Sequence, residues 1–135
     1  MEQITLKVPV TVKAKVTEDL KKRMTADMQE TVRKIDIELQ QIDFQAKRIM
    51  AEQAKVDQQG LVTIRQQVEA EKQKRLDAKN QVLERIKEVA KLEIGAEIGQ
   101  GQIEGTFTLK PGDNLHAVMG TEILLEDGKI IAIRA

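Results

Sequence analysis

The sequence predicts an α+β fold: a small antiparallel β module built from both chain ends, with a long antiparallel coiled-coil helical hairpin inserted between strand 1 and the remaining strands. Three observations carry this. Near the N-terminus apolar residues alternate strictly, at Ile4, Leu6, Val8, Val10, Val12, Ala14 and Val16. A period of two marks a strand with one buried face. From Met28 the spacing changes to alternating fours and threes, through Val32, Ile35, Leu39, Ile42, Ala46 and Ile49, which is a coiled-coil seam. Beyond residue 92, short alternating runs return, separated by glycine and proline. The chain thus divides into an N-terminal strand (1–16), a helical hairpin (17–91, turn near 57–60) and the C-terminal strands (92–135).

In the first segment, Pro9 has no N–H to donate, so the strand is expected at a sheet edge or with a bulge there. Thr17 then suits a helix N-cap, with Glu18 and Asp19 in the first turn where the helix dipole favours acids. Leu20, Met24 and Met28 step by four only, before the heptad spacing sets in. Asp57-Gln58-Gln59-Gly60 interrupts the pattern, and Gly60 is the only glycine before Gly95, so the helix–helix turn belongs there.

A second helix is expected from about Leu61 to Leu92. Folding it back sets Val56 opposite Leu61 and Val62, Ile49 opposite Val68, Ile42 opposite Leu76, Ile35 opposite Leu83, Val32 opposite Ile86 and Met28 opposite Ala90. Its middle is a poor partner: between Glu69 and Gln81 only Ala70, Leu76 and Ala78 are apolar, and Lys72 and Lys79 fall near the seam, where their stems would snorkel. Helix one meanwhile carries Ile37, Phe44 and Met50 off its seam. Leftover apolar stripes find partners, so self-association into a dimer or higher oligomer is expected through them.

In the last segment Ile94, Ala96 and Ile98 alternate, Gly99-Gln100-Gly101 suggests a bulge or tight turn, and Ile103, Gly105, Phe107 and Leu109 alternate again. Lys110-Pro111-Gly112-Asp113 has the composition of a type II turn. Asp113 or Asn114 would cap a single helical turn, Leu115 to Met119, ended by Gly120. A last hairpin joins 122–125 to 130–133 through Asp127-Gly128. Both of its faces are apolar, so it is expected to be central and covered on each side.

Composition narrows the chemistry. The 135 residues contain 22 basic and 22 acidic side chains, one histidine, two phenylalanines, and no cysteine, tryptophan or tyrosine. There is no serine either. A Ser or Cys nucleophile, a Cys-based zinc site and an aromatic platform for single-stranded nucleic acid are excluded. No run approaches a membrane span, and the first residues lack the basic start and apolar core of a signal peptide, so a soluble cytoplasmic protein without membrane contact is expected.

The C-terminal segment carries a recognisable pattern: Ile94-Gly95-Ala96-Glu97-Ile98, then Gly112-Asp113-Asn114, then Glu126-Asp127-Gly128-Lys129-Ile130. With the N-terminal strand and charged helical middle, it resembles the YlqD family of small uncharacterised bacterial proteins. The resemblance implies no assigned activity. In some bacteria members are encoded near ribosome-maturation proteins, which implies a translation-linked setting by association alone.

Candidate sites follow from what remains. His116 lies beside Asp113, but no Ser, Cys or Tyr exists for such a pair to activate, and Thr106, Thr108 and Thr121 read better as strand residues, so it reads as a surface histidine. Gly99-Gln100-Gly101 precedes a strand and is followed by no Lys-Ser/Thr, so it is not a phosphate loop. No cofactor or metal site is expected. Charge is unevenly spread: residues 58–91 are basic and residues 92–135 acidic, and Lys72, Lys74, Arg75 and Lys79 form the densest basic cluster. Interleaved Glu69, Glu71 and Asp77 mute it. The expected function is therefore a non-enzymatic protein–protein interaction, as a scaffold or adaptor for an unknown protein partner. Its contacts would come from the hairpin tip (Gln58, Gln59, Gly60) and the stripe of Ile37, Phe44 and Met50. The alternative is an RNA- or ribosome-associated accessory factor that binds through Lys72, Lys74, Arg75 and Lys79.

Overall fold

The computed structural model describes residues 2–135; residue 1, at the head of the first strand segment, lies outside them. The elements run β1 (Ile4–Lys15), α1 (Glu18–Ala54), α2 (Gln58–Ala90), β2 (Glu97–Leu109), α3 (Leu115–Met119), β3 (Glu122–Glu126) and β4 (Lys129–Arg134). They group into two compact units. The chain up to Lys22 together with Leu92–Ala135 makes the β unit, and Arg23–Lys91 makes the helical unit.

The class is α+β, with both helices of the hairpin inserted between β1 and the other strands. One sheet of four strands runs in the order β2-β1-β3-β4. β1 pairs antiparallel with β2 along its whole length, from Ile4↔Leu109 to Lys15↔Glu97. The sheet is mixed rather than wholly antiparallel, because β1 and β3 run parallel over Thr11–Ala14 and Glu122–Leu125. Topology explains this. The chain leaves β2 beside Ile4, passes through α3, which lies against β1, and enters β3 at the level of Thr11, heading the same way as β1.

That route also settles Pro9. β1 is interior in the strand order, and its register shift lies at Val12/Lys13, not at Pro9. Yet β3 reaches only as far as Thr11, so Pro9 has a ladder partner on the β2 side alone (Glu104), and its missing N–H costs nothing. The shift leaves Gln100 as an extra residue between Gly99, opposite Lys13, and Gly101, opposite Val12. Gly101 takes φ 127°, a conformation that favours glycine. The Gly-Gln-Gly segment is therefore a bulge within one continuous strand.

Of the alternating positions of β1, Val8, Val10, Ala14 and the following Val16 are buried, Leu6 and Val12 are half-buried, and Ile4 is 48% exposed at the end of the strand. Gly105 sits opposite Val8, where a Cβ would come within 2.8 Å of the Phe107 ring and 3.0 Å of a Val10 methyl. Leu124 of β3 is buried as well. The β3–β4 hairpin turns at Asp127-Gly128 with φ 49° and 84°, but it is neither central nor covered on both faces. The interior places go to β1 and β3, so β4 is an edge strand, and Ile130 and Ile133 are 57% and 70% exposed.

Local chemistry places the remaining boundaries. The Leu20 N–H donates to Thr17 Oγ1, which caps α1. Asn114, not Asp113, caps α3 by accepting from the Ala117 N–H, while Asp113 accepts from the Lys110 N–H across the turn. At the hairpin tip the chain breaks over residues 55–57. Asp57 is extended, and its carboxylate accepts from the N–H groups of Gln59 and Gly60 at 3.0 and 3.1 Å. Gln58, Gln59 and Gly60 therefore belong to the first turn of α2, and the aspartate cap, not the glycine, starts the second helix. Gly60 lies close under Gln53: a Cβ there would come 2.5 Å from the Gln53 amide nitrogen, the end of a side chain that can turn away.

Candidate functional site

Within the helical unit, three ion pairs fix the antiparallel register of α1 against α2: Asp36–Lys79 at 2.8 Å, Asp43–Lys72 at 2.8 Å and Glu38–Arg75 at 3.4 Å. On α1 the protected line runs through Met28, Val32, Ile35, Leu39, Ile42 and Ala46, as the heptad spacing predicts, and then through Met50 and Gln53. On α2 it runs through Leu61, Ile64, Val68, Lys72, Arg75, Lys79, Val82, Ile86 and Val89.

Two assignments change as a result. Arg75 and Val82 occupy seam positions expected for Leu76 and Leu83, which are 39% and 38% exposed on the flank. Met50 is half-buried while Ile49 is exposed, although Ile49 and Val68 do line one cavity of about 290 Å³ with Ile42 and Ala46. The cause is common to both. Cations with long apolar stems fill the middle of α2 and reach acids on α1, which moves the contact line by one residue.

The basic cluster is thereby spoken for. Lys72, Arg75 and Lys79 each reach an acid on α1, and Arg75 also pairs with Glu71 one turn back. The hydrogen bond from Lys72 to the Asp43 carboxylate raises the lysine pKa above its ordinary value. The hydrogen bond from Arg75, aided by the nearby Lys74 charge, holds the Glu71 carboxyl below its ordinary value. Lys74, the most exposed of the four, stands 3.6 Å from Glu71.

The opposite face of α1 is different. Successive residues turn by about 100° on an α-helix. Ile37 and Phe44 therefore lie on the side away from Ile35, Ile42 and Ala46, one above the other at heptad spacing. Phe44 is 71% exposed and Ile37 38%. Together with Gln40, Gln41 and Gln45 they line a shallow groove of about 380 Å³. Lys34 precedes Ile37 by one turn, and Lys47 and Arg48 follow Phe44 by one turn; among the described residues these three form no ion pair. Arg33 is held by Glu30 through two hydrogen bonds. The site is thus an exposed aromatic between amide side chains, with cations at both ends that make no direct ion pair among the described residues.

At the tip, Gln58 and Gln59 are exposed, Gly60 is half-buried under Gln53, and Val56 is 83% exposed. Sequence periodicity gave no hint of Val56 as a surface residue, because it continues the seam spacing past the end of α1. In the β unit, Ile4, Leu6, Leu109, Pro111 and Leu115 line an apolar cleft of about 440 Å³. His116 lies in α3, and the Asp113 carboxylate beside it is bound to backbone. Among the described residues no helix is long and apolar enough to cross a membrane, and no three acids or histidines are grouped to hold a metal ion.

Comparison with known proteins is consistent with this architecture. A crystal structure of a protein of unknown function from Synechococcus sp. WH 8102 is similar over 98% of this chain and 95% of its own, with a TM-score of 0.78 and 26% identity. No curated protein matches. The family described as YlqD protein matches residues 4–134, almost the whole sequence. The same residues that build the bulged β2, the capped α3 and the β3–β4 turn lie in that match, and the chain belongs to the YlqD family.

Proposed function

We propose that this protein is a non-enzymatic adaptor that binds a protein partner on the outer face of α1, over Ile37 and Phe44. The observation that supports it is the exposure of Phe44, which is 71% open to solvent within its own helical unit. A partner that fits presents an apolar side chain flanked by acids, to meet Phe44 between Lys34 and the Lys47–Arg48 pair. A second copy fits this face less well. Two α1 helices crossed antiparallel about Gln40–Gln41 set Ile37 on Phe44, but also Lys34 on Lys47 and Arg33 on Arg48. In this reading the exposed tip residues Gln58 and Gln59, beside Gly60, supply a second contact at the end of the hairpin.

The RNA reading is weaker because its four residues already face carboxylates, and phosphate contacts would have to displace them. The test is comparative capture from native lysate, with and without nuclease. The wild-type chain should recover a discrete protein in both conditions, and Phe44→Glu should lose it. Recovery that vanishes with nuclease, and that survives Phe44→Glu but not charge reversal of Lys74 and Arg75, would establish the RNA-associated role instead.

A further inference from the structure

We propose that β4 is a self-pairing edge: β4 of one copy lies antiparallel to β4 of a second copy about a two-fold axis at Ala132, joining two four-stranded sheets into one of eight. Among the described residues β4 pairs only with β3, so the main-chain groups on its outer side have no strand partner. Three of its six residues are isoleucines, 57%, 47% and 70% exposed at Ile130, Ile131 and Ile133. A strand of β-branched residues with a bare edge is what soluble proteins avoid unless something pairs with it.

The opposite edge is protected. β2 carries three glycines within seven residues, Gly99, Gly101 and Gly105, which weaken it as a template for a further strand. β4 also has a register shift, at Ile131, since Leu124 pairs with Ala132 and Leu125 with Ile130. There the effect is to leave Ile131 without an opposite residue in β3, and its side chain 47% exposed.

The choice of a second copy rests on charge and symmetry. About an axis at Ala132 the facing residues are Ala132 with Ala132, Ile131 with Ile133 and Ile130 with Arg134, so no charge faces a like charge. Arg134, which follows, is engaged within its own β unit by Glu97 and Glu122, each at 2.6 Å, and does not point a free cation across the axis. A two-fold axis at Ala132 sets Ile131 of each copy opposite the partner's Ile133, an apolar pair on both sides. Such an isologous contact closes on itself and ends at a dimer rather than a fibre. An acidic peptide added to the same edge would gain nothing from Arg134, whose charge is already used.

The absence of cysteine from the chain makes the test clean. Identical residues on the axis of an antiparallel pair bring their Cβ atoms to about 4.5–5.5 Å, within reach of a disulfide. The full chain should sediment as a dimer at micromolar concentration. Ala132→Cys should cross-link to that dimer on mild oxidation, and Phe44→Cys should not. Ile133→Lys should weaken the dimer at least tenfold. Because Ile133 is largely exposed, that variant should keep the wild-type circular dichroism spectrum while its melting temperature loses the concentration dependence of a dissociating dimer, and Ile133→Thr gives a milder version with the same direction. Phe44→Glu should leave the mass unchanged, which separates this contact from partner binding on α1. A monomer throughout the concentration range, an undiminished dimer in Ile133→Lys, or cross-linking through position 44 in place of 132 would each overturn the proposal.

Discussion

Replacing Gly60 with alanine sets two effects of similar size against each other at the hairpin tip. Gly60 is helical and lies in the first turn of α2, so alanine gains up to about 1 kcal/mol of helix propensity. Against this, the new Cβ would lie 2.5 Å from Gln53 Nε2 and 3.1 Å from Asp57 Oδ2. The glutamine amide is the end of a flexible side chain and can turn away, at roughly 0.5 kcal/mol for an off-rotamer χ. The Asp57 carboxylate has less freedom, because it holds the N–H groups of Gln59 and Gly60. Displacing it forfeits a cap worth about 1 kcal/mol. The sum for Gly60→Ala is a small net destabilisation, about 0.5 kcal/mol. Asp57→Ala alone should cost about 1 kcal/mol. In the Asp57→Ala background the cap is already gone, so adding Gly60→Ala should stabilise by about 0.5 kcal/mol. The two substitutions are therefore coupled by about 1 kcal/mol, and the sign of the glycine substitution reverses between backgrounds. Urea unfolding followed by circular dichroism at the helix band measures all four corners of the cycle. Additivity within about 0.3 kcal/mol would refute the shared carboxylate as the link, and a loss above about 2 kcal/mol for Gly60→Ala alone would show that Gln53 cannot move.

Two further predictions concern the β unit. Gly105→Ala should destabilise by about 1–3 kcal/mol in thermal melts, since its Cβ meets the Phe107 ring and a Val10 methyl inside the core rather than a mobile side-chain end. Stability should also fall in acid: hydrogen bonds from Arg134 to Glu97 and from Lys13 to Glu122 hold both carboxyls below their ordinary value. A depressed folded-state pKa stabilises above the unfolded value and loses that contribution as pH falls through the folded one. Denaturation midpoints taken between about pH 6 and pH 3 should decline, and Arg134→Gln should flatten the decline.

How far these features could be read in advance depended on whether a residue's chemistry or its neighbours decided its place. Strand β1, the Thr17 cap, the 110–113 turn and the Asp127-Gly128 hairpin are local matters of periodicity and backbone preference, and the structure places each as expected. The seam of α2 is not local. Counting apolar residues favours Leu76 and Leu83, but Arg75 and Val82 take those places, because Asp36, Glu38 and Asp43 on the other helix hold the cations at the contact line. The exposed Phe44 was legible as an off-seam aromatic, whereas Met50 was not legible as half-buried, since the drift of the seam toward Gln53 depends on how α2 begins. The edge position of β4 was hidden for another reason: its pattern suits a covered strand, and only the parallel entry of β3 beside β1 leaves it outermost.

The insertion of both long helices between β1 and β2 has a kinetic consequence. Lys15 and Glu97 are ladder partners with residues 16–96 between them, so an unstructured connection would cost about 4 kcal/mol of closure entropy before the first sheet bond formed. Helices that fold on short-range contacts form in microseconds and return the chain to where it departed, which removes most of that cost in advance. During synthesis β1 emerges first and waits, apolar face unpaired, until the hairpin has closed and β2 arrives. Lengthening the hairpin by whole heptads should then leave the folding rate of the sheet nearly unchanged, whereas loosening its register should slow it.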